Sequence, residues 1–85
     1  MNMDINEVNA IGVKFREGGD EQVYVNIHNT ISAYGKTYHR FVKMKNYKKG
    51  ESFLGSDYGI CQEYFDKQVS KGLIRVIQTF GEIAQ

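Results

Sequence analysis

The sequence has a single cysteine and neither proline nor tryptophan. One thiol, Cys61, cannot close an internal disulfide, and a cytoplasmic setting is the expectation. No apolar run approaches the roughly 18 residues that a membrane-crossing helix needs. The opening stretch MNMDINEVNA is polar and acidic, so no secretory signal is expected. Acidic residues are missing altogether between Glu21 and Glu51. That gap leaves a basic middle third in a chain whose formal net charge is only +1. A dedicated non-specific DNA binder would be more basic overall.

What is present describes an ordinary small globule. Hydrophobic residues make up 41% of the chain and charged residues 25%, which excludes global disorder. A chain of 85 residues forms one domain, spanning 1–85. It buries only somewhat more than about 60% of its unfolded surface, so it has room for a surface site and little room for a deep cleft. Asn, Lys, Ile, Tyr and Phe are abundant, and all use A/T-rich codons. That usage fits an A/T-rich genome, for instance that of a Gram-positive bacterium or a phage.

Alternation marks the strands. In IGVKF, residues Ile11, Val13 and Phe15 share one face. In QVYVNIH, residues Val23, Val25 and Ile27 share one face, opposed to Tyr24, Asn26 and His28. With Gly18 and Gly19 between them, the two runs predict a β-hairpin. A two-residue loop would set Val13 against Tyr24. A three-residue loop, Glu17 to Gly19, sets Val13 against Val23 and Ile11 against Val25. Burial of the aliphatic residues favours the second, with Gly19 as the left-handed residue of a G1-type bulge. Gly35 marks the next turn, and the second strand is expected to run on toward Ala33. A third strand, TYHRFVKMK, puts Tyr38, Arg40, Val42 and Met44 on one face and His39, Phe41, Lys43 and Lys45 on the other. Its mixed faces suit an edge strand, where lysines discourage pairing between sheets.

NYKKGESFLGSD is expected to be a loop, with Ser56 or Asp57 capping a helix. In that helix Ile60, Cys61, Tyr64, Phe65, Gln68 and Val69 form a mostly apolar stripe. Gly72 then ends it, with Leu73 available for a Schellman contact. LIRVIQTF is a fourth strand. The first nine residues are a short helix or a loose arm. The expected fold class is therefore α+β: a small antiparallel sheet in β-β-β-α-β order with one amphipathic helix packed on it. An OB-like or SH3-like small barrel is compatible.

No catalytic set stands out. His28, His39 and Cys61 are the only soft metal ligands, and no two lie at ligand spacing, so no metal is expected. The two histidines read as polar-face residues. Cys61 stands near a helix start but inside the apolar stripe, which favours a buried, inert thiol. No serine has a G-x-S-x-G context. GESFLGSD resembles a phosphate loop only in its glycines, because the lysine that would hold the phosphates is missing. Ser56 at a helix start is a weak anion site at best. No enzyme activity and no cofactor are expected.

One segment, GKTYHRFVKMKNYKKGESF, interleaves cations with aromatics. Its candidate binding residues are Lys36, Tyr38, Arg40, Lys43, Lys45, Tyr47, Lys48 and Lys49, with Tyr34 just before them. Alternation divides the charges, because Lys43 and Lys45 point opposite to Arg40. Two functions fit. The first is a small inhibitor or adaptor that binds a protein of nucleic-acid machinery, using six tyrosines suited to interfaces. The second is a direct nucleic-acid binder using segment 36–49. The near-neutral net charge favours the first. A homodimer would form through edge pairing if the third strand lies at the edge.

Overall fold

The computed structural model describes residues 3–46 and 51–80, with side chains described for 3–45 and 57–80. A short 3-10 helix spans Ile5–Glu7, with the Asp4 carboxylate accepting from the Asn6 amide as its cap. The strands are β1 (Val8–Val13), β2 (Gln22–Ala33), β3 (Lys36–Asn46), β4 (Glu51–Ile60) and β5 (Ile74–Thr79). One helix, α1 (Gln62–Ser70), lies between β4 and β5. The domain is α+β, with an open five-stranded antiparallel sheet ordered β4-β3-β2-β1-β5. It does not close into the OB-like or SH3-like barrel that length and strand number allowed. Strands β4 and β5 occupy opposite edges and run in the same direction. Such strands need a crossover, and α1 supplies it.

Strand β4 is the element that the sequence concealed. ESFLGSDYGI has two glycines, two serines and an aspartate, all weak strand formers. It pairs with β3 nonetheless, setting His39 against Ile60 and Phe41 against Tyr58. It also displaces β3 from the edge, contrary to expectation. A dimer through edge pairing would have to use β4 or β5. The helix consequently begins later than expected. Its N-cap is Cys61, not Ser56 or Asp57, and Ile60 belongs to β4. At the other end the expected Schellman motif forms. The Leu73 amide donates to Gln68 O at 2.9 Å and the Gly72 amide to Val69 O at 3.0 Å. Gly72 takes the left-handed conformation, with φ of 76°.

The first hairpin also differs from expectation. Ile11 faces Tyr24 and Val13 faces Gln22, so neither short loop forms and residues 14–21 make the connection. Two long-range contacts take those residues out of the β1–β2 pairing. The Lys14 amide donates to Leu73 O at 2.8 Å, and Glu21 binds Arg75. The left-handed glycine is Gly18, with φ of 77°, and the Gly19 amide closes a turn onto Arg16 O. The second hairpin follows its sequence. Ala33 pairs with Lys36, and Tyr34 and Gly35 both have positive φ, the signature of a type I′ turn.

The new register turns Tyr24 and Asn26 to the core in place of Val23, Val25 and Ile27. Ile11, Val13, Tyr24, Phe41, Ile60 and Ile74 line that face of the sheet, and Phe65 of α1 packs with them. Ile5 and Val8 close one end. Asn26 is buried with its amide satisfied. Its Nδ2 donates to Val8 O at 2.9 Å and its Oδ1 accepts from the His28 amide at 2.8 Å. Here β2 bulges: its step from Asn26 to Thr30 matches only the step from Phe41 to His39 on β3. His28 takes φ of 56° at the bulge. Asn26→Ala should therefore lower stability by about 1–3 kcal/mol, because it orphans two backbone groups as well as removing two bonds. Urea unfolding of both proteins measures the difference.

Candidate functional site

The basic segment does not form one surface. Along β3, Tyr38, Arg40, Val42 and Met44 lie on the face away from α1 and are half-buried. His39, Phe41 and Lys43 face the helix side, and Lys45 follows them by alternation. Two cations are bound within the protein. Arg40 Nε donates to Asp57 Oδ2 at 2.6 Å, and Nη2 donates to the same oxygen. Lys36 Nζ lies 3.4 Å from Glu63 Oε1. Of the candidate residues, Tyr47, Lys48 and Lys49 lie outside the described residues. Among the others, charge is split between faces and partly neutralised.

The face away from α1 is aliphatic, and among the described residues no helix packs on it. Val25 pairs with Val42, and Val23 lies opposite Gly12. Glu21 lies over Gly12, where a Cβ would fall 2.3 Å from the Glu21 carboxyl carbon. Without that side chain, Glu21 reaches Arg75 through bonds of 2.7 and 3.0 Å. The Arg75 guanidinium holds the Glu21 carboxyl below its usual pKa. Beyond the end of β4 the β2–β3 hairpin runs on with no other strand paired to it, while Lys36 reaches Glu63 of α1. It carries Ile31 opposite Tyr38, with Tyr34 97% exposed at the tip. Tyr34 and Tyr38 were legible as candidate binding residues. Val23 and Val25 were not, because alternation assigned them to the core.

The helix side carries an aromatic cluster that links β2, β4, α1 and the β1–β2 connection. Ring centroids are 6.3 Å apart for Phe15 and Tyr24, 5.7 Å for Phe15 and Tyr58, and 5.2 Å for Tyr24 and Tyr58. Tyr64 of α1 extends it, 6.5 Å from Tyr58. The Tyr58 hydroxyl donates to the Tyr64 hydroxyl at 3.1 Å, and Gln68 Nε2 donates to the same oxygen at 3.3 Å. Burial and the neighbouring Tyr64 and Tyr24 hydroxyls push the Tyr58 pKa well up. Tyr24 is almost enclosed, whereas Phe15 is 58% and Tyr64 39% exposed. Phe15, expected in the core, is thus the outer end of the cluster. Its sequence neighbours give no sign of this, because the four rings come from distant segments.

At the start of α1 lies a cavity of about 330 Å³, lined by residues including Lys36, His39, Cys61 and Glu63. Cys61 is buried as expected and stands at the N-cap, where its side chain makes no capping bond. His39 is only 8% exposed, a buried residue and not the polar-face residue that alternation suggested. Among the described residues, no group of three or more His, Cys, Asp and Glu could hold a metal ion.

Desolvation lowers the His39 pKa from 6.5, with the Asp4 charge opposing it. As pH falls, the unfolded chain therefore takes up this proton before the folded protein does. His39's share of stability is intact above about pH 6.5 and is lost as pH falls toward the folded value. His39→Gln should flatten that part of the slope, read from urea midpoints between about pH 7 and about pH 5. The chain matches no protein-family model, no curated protein sequence and no solved structure, so its own geometry has to carry the functional conclusion.

Proposed function

We propose that the protein is a non-catalytic interaction module, of inhibitor or adaptor type, whose partner is another protein. The observation that carries this is the aliphatic sheet face on which, among the described residues, no helix packs. Val23, Val25 and Val42 lie there half-buried, and α1 packs on the opposite side. An apolar surface of this kind is stabilised when a partner removes it from water, at about 25 cal/mol per Å². Its charges are already matched, Arg40 by Asp57 and Arg75 by Glu21. A nucleic acid would find few unbound cations on this face and would release few counterions there. The projecting hairpin adds Ile31, Tyr38 and Tyr34, and tyrosine is a residue of interface hot spots. The partner proposed is a component of nucleic-acid machinery. The support for that class is the segregation of basic and acidic residues along the chain, which suits a partner that itself handles polyanions.

The test is site-specific photo-crosslinking in the native host with Tyr34 replaced by benzoylphenylalanine, followed by reconstitution with the captured protein. The expected result is a stoichiometric complex that Ile31→Lys weakens by about tenfold, or 1.4 kcal/mol. Ile31 is exposed, so this substitution leaves the core intact. A captured protein that binds Ile31→Lys and Tyr34→Ala as tightly as the parent would overturn the proposal.

A further inference from the structure

The cavity at the start of α1 has the size and the chemistry of a ligand site. We propose that it binds a small free α-amino acid, with the carboxylate at the helix N-terminus and the ammonium on Glu63. The site does not involve the aliphatic face and is independent of the function proposed above. Its volume of about 330 Å³ falls at the small end of ligand sites, which run from about 300 to about 1,000 Å³.

Two unmet hydrogen-bonding demands converge there. The first is the end of the helix. Cys61, at the N-cap of this nine-residue helix, makes no side-chain capping bond, and sulfur is a weak acceptor. The amides of the first turn therefore lack the oxygen that a serine or aspartate cap would give them. The second is His39, which is only 8% exposed. Among the described residues its imidazole has no hydrogen-bond partner. Every fully enclosed side-chain nitrogen or oxygen among those residues is bonded, so the ring nitrogens of His39 reach accessible space, and the space that His39 lines is this cavity. Strand pairing brings the two together, because His39 of β3 lies opposite Ile60, the residue before Cys61. A carboxylate in the cavity answers both demands, since helix amides and an imidazole N–H are donors.

The charges at the cavity suit a zwitterion better than a bare anion. Lys36 Nζ and Glu63 Oε1 stand 3.4 Å apart, with their side chains 46% and 80% exposed. A pair so open to water is weak and is readily exchanged for other partners. A ligand with both signs replaces it evenly, its carboxylate taking Lys36 and its ammonium taking Glu63. A dianion would meet Glu63 and the Asp4 charge that acts on His39. The wall is also fixed in advance. Gln62 Oε1 accepts from the Ile5 amide at 2.8 Å, and its Nε2 donates to Met3 O at 2.7 Å and to Asp66 Oδ1 at 2.9 Å. These bonds hold the N-terminal segment against α1, so the cavity need not be assembled by its ligand.

The experiment is proton NMR of the full chain, titrated in turn with L-alanine, L-serine and L-glutamine and followed on the imidazole resonances. The chain has two histidines, and His28, which packs on Phe80, is the internal reference. The expected result is a saturable shift of His39 with at least one of the three, while His28 stays in place. For the amino acid that binds, the analogue lacking the ammonium (propionate for alanine) and the one lacking the free carboxylate (alaninamide) should each bind at least about tenfold more weakly. Cys61→Asp puts a carboxylate cap on the first-turn amides, so it should abolish binding and hold or raise the unfolding midpoint. Lys36→Ala and Glu63→Gln change exposed side chains and should each weaken binding about threefold or more. These two variants decide the matter if Cys61→Asp does not fold. Ile31→Lys, on the hairpin, should bind as the parent does, which separates this proposal from the one above. No saturable shift of His39 with any of the three amino acids would overturn the proposal. So would tighter binding of inorganic phosphate, equal binding of the analogues, or folded Lys36→Ala and Glu63→Gln variants that bind as the parent does.

Discussion

The carboxamide of Asn26 is the contact on which the layout of the sheet depends. One end of it ties β2 to the backbone of β1 at Val8, and the other holds the amide of His28 at the bulge. Since the bond to Val8 O is buried, water cannot substitute for it, and the side chain has to stay where it is satisfied. The bulge in turn bends β2 and increases its local twist. Past that point β2 and β3 run on as a hairpin with no other strand beside it. His28, turned out by its positive φ, packs its ring edge-on against Phe80 at 4.9 Å. A buried polar group thus sets where the sheet ends and the projecting hairpin begins.

Local signals in the sequence were reliable where short-range chemistry decides the outcome. Gly35 with Tyr34 made the predicted turn, and Gly72 with Leu73 made the predicted helix stop. Ile74–Thr79, β-branched and following a glycine, formed the predicted strand. What could not be read was set by contacts distant in the chain. The pairing of β1 with β2 follows from Lys14 reaching Leu73 and Glu21 reaching Arg75. Alternation alone placed Val23 and Val25 inside, because it treats every aliphatic row as a core row. Here Tyr24 takes the inner position, since Tyr58 and Phe15 offer it aromatic neighbours. The strand from Glu51 to Ile60 is written in residues that seldom form strands, and only β3 beside it makes it one.

The candidate surfaces show the same division. The cations of segment 36–49 were visible in the sequence, as was their separation by alternation. Invisible was their pairing: Asp57 reaches Arg40 only because β4 exists. The aromatic cluster was likewise unreadable, since Phe15, Tyr24, Tyr58 and Tyr64 meet only after three strands and the helix have assembled. The described residues show two unlike faces: one carries Val23, Val25 and Val42 with Arg40 and Arg75 ion-paired, and the other carries the aromatic cluster.

The pairing of β1 with β5 has a consequence for biosynthesis. Val8, Ala10, Ile11 and Val13 are fully enclosed, yet one flank of their strand is covered only by residues 74–79. Those residues leave the ribosome long after β1 does. Until then the chain presents an unpaired, strongly apolar strand edge, which is the kind of surface that recruits wrong partners. The helix cannot settle early either, because it bridges the two edges of a sheet that is not yet complete. Folding must therefore wait for nearly the whole chain and then close contacts of high sequence separation, which is slow for a domain of this length.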